Sequence, residues 1–249
     1  MTPWVLRLIF ANIAMFILAS LSPALNEQLM LVPALAFLRP WTLVTYMFLH
    51  GGFGHIFFNM LALFFFGPRL EAELGSKNFL LLYFISGIMG GLLSFFFTPY
   101  TAIIGASGAV YGVMFGFARY WPRELLYIWG VFPVQARWLV VGMTVLSLFG
   151  GFGNSSDGVA HFAHLGGFVG GFLFLTIVDR KVKTSIPDMI PVSAEPTAKE
   201  IERWMTIRRE NLHEVNREEL DRILLKMQTN GAASLTSQER SFLDRFSLQ

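Results

Sequence analysis

Ser107 stands among small residues, in Gly105-Ala106-Ser107-Gly108, at the mouth of an apolar run that reaches Tyr120. Nothing about bulk hydrophobicity calls for a hydroxyl there. Small neighbours let other backbones and a substrate come close. At the first turn of a helix, unpaired N–H groups and the positive end of the helix dipole favour an oxyanion forming beside that hydroxyl, which makes Ser107 a candidate nucleophile. The same residues also read as a serine N-cap opening a glycine-rich membrane helix.

Polar side chains inside apolar segments are costly and point to function. Four of the five histidines, His50, His55, His161 and His164, fall at or within apolar segments. His55 and Asn59 are four apart and share a helix face. His164, Gly167 and Gly171 stand at i, i+3 and i+7, and the glycines let their helix press against a neighbour. The expected neighbour is the helix headed by Ser107. An HExxH helix is absent and no carboxylate shares a histidine-bearing face, so no metal is expected. Glu27, Glu71, Glu73, Glu124 and Asp157 all read as loop or terminal residues, which leaves no intramembrane pair of acids.

What remains is a serine activated by one histidine, a sufficient arrangement if packing orients the imidazole. Tyr111, one turn after Ser107, is placed to pack under the His164 ring. His55 and Asn59, with the Ser107 N–H, are placed to donate to the oxyanion. From spacing alone His161, one turn before His164, is also a possible base, but only His164 is followed by Gly167 and Gly171.

These groups must be carried by membrane helices. The chain has 249 residues, 54% of them hydrophobic and only 14% charged. Its mean hydropathy is +0.53. Such a composition belongs to an integral membrane protein rather than a soluble domain, and with no cysteine there is no disulfide or thiolate chemistry. Apolar stretches at 4–22, 55–67, 79–97, 107–120, 137–149 and 159–178 predict six spans, several short of the roughly 20 residues of a simple crossing. The first lacks a basic start and a cleavage site and reads as a retained span. The connection 23–54 is too broken by proline and glycine to cross, and its aromatic residues suit the membrane interface. Arg7, Arg69, Lys77, Arg119, Arg123, Arg137, Arg180, Lys181 and Lys183 all fall on one side of a six-span arrangement, against Arg39 on the other. The positive-inside rule then puts both termini in the cytoplasm and Ser107 near the outer face.

Charge is concentrated at the end of the chain: residues 1–178 hold 7 Lys/Arg and 5 Asp/Glu, while residues 179–249 hold 12 of each. We expect a membrane domain over 1–180, a linker over 181–198 marked by Pro187, Pro191 and Pro196, and a small soluble helical domain over 199–249. In that last part Asn216 with Glu219 and Thr236 with Glu239 fit capping boxes. Its mixed charges read as a solvated face.

Together, Gly105-Ala106-Ser107-Gly108 with Tyr111, Ala163-His164-Leu165-Gly166-Gly167 with Gly171, and His50 through His55 to Asn59 resemble the rhomboid intramembrane serine proteases over about residues 4–178. The resemblance implies an all-α, polytopic six-helix bundle, integral to a bacterial cytoplasmic membrane, with a cavity open to the outer face. It implies hydrolysis of a peptide bond in or near a substrate's transmembrane helix, without cofactor. By position, Ser107 is the nucleophile, His164 the base, Tyr111 its stacking partner, His55 and Asn59 oxyanion stabilisers, His50 a structural residue and the fifth helix a lateral gate. Partners are then transmembrane substrates and lipid, with no nucleic acid. The first loop departs from the Trp-Arg of many members, with Trp41 followed by Thr42 and Arg39 earlier. The alternative is a non-catalytic rhomboid-like protein that binds or routes membrane clients, although such proteins usually lack the serine or the histidine and both are present here.

Overall fold

The computed structural model describes residues 1–128, 130–153, 159–185, 195–212 and 214–247. Asp157, Pro187 and Pro191 lie outside them. The chain forms two compact units, Met1–Asp179 and Arg180–Gln249.

The first unit is a bundle of apolar helices. Helix α1, Pro3–Leu21, opens with proline at its first position, where a missing N–H costs nothing. A short helix α2, Pro23–Leu29, follows, then a 3-10 turn and a one-turn helix α3, Thr42–Thr45. In this connection the Arg39 guanidinium and the Trp41 indole N–H donate to the Glu27 and Gln28 carbonyls at 3.4 and 3.1 Å, so both residues tie down the end of α2.

Helix α4, Phe53–Phe97, is broken at Gly75, whose φ of 74° and ψ of 155° turn the chain between two arms, 53–74 and 76–97. Glycine adopts that positive φ without steric penalty. Glu71 lies before the break and corrects the expectation of a loop carboxylate: it is 2% exposed. Its two oxygens accept the Trp4 and Val5 N–H groups at 3.3 and 3.0 Å, and the Ser76 hydroxyl donates to it at 2.8 Å. A buried carboxylate is stable there because it satisfies the unpaired N–H groups of α1 and meets the positive end of its dipole. Glu71→Gln turns an acceptor into a donor facing a donor, and we expect it to cost about 2 kcal/mol of stability, in the range for charge-assisted hydrogen bonds. Thermal unfolding in detergent measures this; an unchanged midpoint would mean that water caps α1 equally well.

Helix α5, Ser107–Tyr120, is buried on nearly every side, as a helix apolar all round should be. Helix α6, Ala136–Phe152, is buried only at Ala136 and Ser147, and helix α7, His161–Ser185, runs past the expected end at 178. Glycines set how α7 packs. A Cβ on Gly166 or Gly170 would strike the 76–97 arm at Gly90 or Ser86, 2.6 and 2.9 Å away, and one on Gly167 or Gly171 would strike α5 at Gly108 or Gly112. The helix is wedged between two neighbours at backbone contact. Among the described residues three helices, Pro3–Leu21, Phe53–Phe97 and His161–Arg180, are long and apolar enough to cross a membrane, and Ala136–Phe152 is apolar but shorter.

Between α5 and α6 the sequence led us to expect only a connection. It forms an antiparallel hairpin of β1, Leu125–Ile128, and β2, Phe132–Gln135, turned at Gly130 with φ 71°. Branched and aromatic residues flanking a glycine are a hairpin signal, concealed here by the uniformly apolar composition.

The second unit packs α8, Ala198–Met205, α9, Glu214–Asn230, and α10, Ser237–Ser247, around Trp204, Leu220, Ile223 and Leu243. Thr236 and Glu239 form the expected capping box. Asn216 instead lies inside α9, where it cannot cap, and Glu219 pairs with Arg222. The other box is Thr197 with Glu200, heading α8. Although burial opposes it, the Lys226 ammonium at 2.7 Å and the Thr236 N–H hold the Glu239 carboxyl down at about 2.

Candidate active site

Helix α5 starts one residue earlier than a serine N-cap requires. Ala106 occupies the cap position and Ser107 is the first helical residue, with no side-chain cap. Its hydroxyl is therefore left for another partner. That partner is His164 on α7, whose Nε2 lies 2.8 Å from Ser107 Oγ. The glycine contacts create this approach, since α7 comes this close only because Gly167 and Gly171 carry no side chains facing α5.

The imidazole is held from one side by Tyr111, whose ring stacks on it with centroids 4.1 Å apart and planes at 19°. Phe168 lies 4.9 Å from the Tyr111 ring and backs the stack. His164 is 9% exposed, and Ser107 is half-buried. His161 faces elsewhere: its ring fills the space over Gly150 of α6, where an added Cβ would lie 2.7 Å from its Cδ2.

Gly105 brings the third element in. With φ 123° it holds a conformation open to glycine, and a Cβ there would lie 2.6 Å from His55 Nε2 and 3.8 Å from Ser107 Oγ. The absent side chain thus leaves a small space bordered by the His55 ring and the serine hydroxyl. His55 Nδ1 accepts the Gly51 N–H at 3.4 Å, which assigns the ring proton to Nε2, on the side of that space. His50, 6% exposed, packs edge-on against His55 at 5.0 Å and limits its rotation. Asn59 is also buried, and one of its amide hydrogens goes to the His55 carbonyl at 2.8 Å. The other hydrogen of that group is available to a second acceptor.

Sequence reasoning missed Tyr46. It is 1% exposed, its carbonyl accepts the Gly105 N–H at 2.9 Å and its hydroxyl donates to the Gly87 carbonyl at 2.7 Å. One residue of the first connection thereby ties the segment before Ser107 to the 76–97 arm. A tyrosine in so apolar a segment was the available signal, because a buried phenol needs a partner. Among the described residues no three metal-ligating side chains gather.

Fold and site define an integral membrane protein, a helical bundle in which a serine and a histidine from neighbouring helices meet. Residues 38–181 match the Rhomboid domain model. The chain is 30% identical over 186 residues to Rhomboid-like protease 3 of Toxoplasma gondii, a match covering 70% of this chain and 68% of that one. It is 38% identical over 133 residues to RHOMBOID-like protein 4 of Arabidopsis thaliana, covering 53% and 32%. Against Rhomboid protease GluP of Bacillus subtilis (strain 168) it is 35% identical over 136 residues, covering 53% and 25%. The chain belongs to the rhomboid family. The match spans about a third of the Arabidopsis relative's length and a quarter of GluP's. Residues 210–249 match a second model, described as a family of unknown function (DUF6576).

Proposed function

We propose that this rhomboid is an intramembrane serine endopeptidase working through a Ser107–His164 dyad. The observation that carries the proposal is the 2.8 Å approach of His164 Nε2 to Ser107 Oγ. Ser107 Oγ attacks the carbonyl carbon of a peptide bond in or near a substrate's transmembrane segment and gives its proton to Nε2. The tetrahedral intermediate collapses by breaking the C–N bond, with the Nε2 proton passing to the leaving amine. Water then attacks the carbonyl carbon of the Ser107 ester and loses a proton to Nε2; the C–Oγ bond breaks as Nε2 returns that proton to Oγ, which releases the acid and restores both residues. The oxyanion lies in the space beside Gly105, where the Ser107 N–H, His55 Nε2–H and the second Asn59 hydrogen supply donors. No cofactor takes part. The alternation of basic loops supports an orientation with both termini in the cytoplasm and Ser107 toward the outer face.

A serine-reactive phosphonate should label Ser107 in the purified protein and fail to label His164→Ala. Labelling independent of His164 would remove the base from the mechanism. Asn59→Ala should lower turnover on a transmembrane substrate by roughly 10²- to 10³-fold, the loss typical for one oxyanion donor, with little change in unfolding temperature. Unchanged turnover would reduce Asn59 to a packing role, and so would a loss of stability in proportion to activity.

A further inference from the structure

Between Glu124 and Arg137 the chain has twelve residues without a charge, Leu125 to Ala136, three of them aromatic. Within them β1 and β2 make a hairpin, in register from Leu125 opposite Gln135 to Ile128 opposite Phe132. Its base is fixed, since the Ala136 and Arg137 N–H groups donate to the Glu124 and Pro122 carbonyls at 2.9 and 3.1 Å. Near the base Leu126 packs on the bundle core. Toward the tip the hairpin stands clear: Tyr127 is 61% exposed, Val131 68% and Phe132 64%.

An ordered element this apolar marks an interaction site, and three observations say which. Opposite residues of an antiparallel pair share a face, so Tyr127 and Pro133 lie on one face and Ile128 and Phe132 on the other. A hairpin docked on a protein needs one apolar face; this one is apolar on both, as insertion into a medium requires. The hairpin also continues without a spacer into α6, whose exposed apolar side it extends. Arg123 and Arg137 flank it, both exposed. Arg69 and Arg119 nearby are paired with Glu124 and Asp179, whereas among the described residues neither flanking arginine forms an ion pair. Arg137 lies over the exposed Trp138 ring at 5.4 Å. Aromatic side chains favour the headgroup level, and unpaired arginines beside them attract anionic lipid.

We propose that the 125–135 hairpin is a lipid-binding anchor lying in the bilayer interface on the basic side of the bundle. Tyr127, Val131 and Phe132 enter the acyl boundary, and Arg123 and Arg137 meet anionic headgroups. The strand edges set the depth: their free N–H and C=O groups exclude the hydrocarbon core, so the hairpin stays where water reaches them. The anchor is independent of catalysis.

The chain has no cysteine, so a single nitroxide label reports one position in the full-length protein. Tyr127→Cys, Lys199→Cys on α8 and Phe65→Cys on the apolar 53–74 arm are labelled and reconstituted in phosphatidylcholine vesicles with and without phosphatidylglycerol. The label at 127 should be several-fold less accessible to an aqueous nickel relaxant than that at 199, and accessible to oxygen, at a depth shallower than position 65. Phosphatidylglycerol should deepen it, and Arg123→Gln with Arg137→Gln should abolish that response. A Val131→Asp and Phe132→Asp pair should restore aqueous access without changing the unfolding temperature, because both residues are exposed. A position 127 as open to nickel as 199 overturns the anchor. So does a label shielded from nickel and oxygen alike, which would mean that a second copy covers the hairpin. A depth indifferent to phosphatidylglycerol overturns the role of the arginines. Each outcome is read without a cleavage assay and stands whether or not the protein proves to be a protease.

Discussion

Ser107→Ala is expected to lower turnover on a transmembrane substrate by roughly 10⁴-fold or more, and His164→Ala by about the same amount, in line with nucleophile and base losses in other serine hydrolases. The double variant should lose no more than either single one, because nucleophile and base act as a unit and removing one leaves the other without a task. Stability should fall little. Ser107→Ala removes one hydrogen bond from an imidazole still stacked on Tyr111, a change worth about 1 kcal/mol. Turnover and thermal unfolding measured on the same preparations separate loss of chemistry from loss of fold. Cleavage that survives either substitution would sink the dyad, and no cleavage by the wild type would leave the non-catalytic reading. Tyr111→Ala offers a graded comparison: the base remains but its orientation does not, so its effect should fall between wild type and His164→Ala.

The residues that meet at this site were visible in the sequence for different reasons. Ser107 and His164 stood out because each is polar where the chain is otherwise apolar, and Gly167 and Gly171 because their period matched that of His164. What spacing does not contain is direction around a helix at the level of single atoms. It left His161 and His164 as alternatives, and the structure separates them through Gly150, which receives the His161 ring. Nor did it give the tautomer of His55, set by the Gly51 N–H three-dimensionally opposite it.

The errors have two causes. Glu71 was assigned to a loop because an unpaired carboxylate in a span is costly, but the pairing is with the N–H groups of α1, 66 and 67 residues away. Such a partner is invisible to local pattern. Tyr46 was passed over similarly, since its two bonds reach residues 59 and 41 positions on. The 125–135 hairpin was lost because a membrane chain removes the contrast between apolar strand and polar surroundings on which strand recognition depends. Helix existence, by contrast, survives this loss of contrast, because length in an apolar run is itself the signal.

Gly167→Val is the second large effect, and it tests whether close packing brings the histidine to the serine. A Cβ at Gly167 would fall on the Gly108 carbonyl oxygen and lie 2.8 Å from its carbon. Both atoms belong to the backbone of α5, next to Ser107, so no side-chain rotation relieves the overlap; one helix must move away. Overpacking of this kind costs about 1–3 kcal/mol. Displacing the base by an ångström costs roughly 10²-fold in rate even where every catalytic group remains. Stability and turnover should therefore fall together, and phosphonate labelling of Ser107 should weaken although neither dyad residue has changed. Gly142 on α6 provides the contrast, because nothing lies within 4 Å of a Cβ there. Gly142→Ala should be tolerated or stabilising by up to about 1 kcal/mol, from helix propensity alone. Full activity and unchanged unfolding in Gly167→Val would mean that α7 has room to spare, and the approach of His164 to Ser107 would then need another cause.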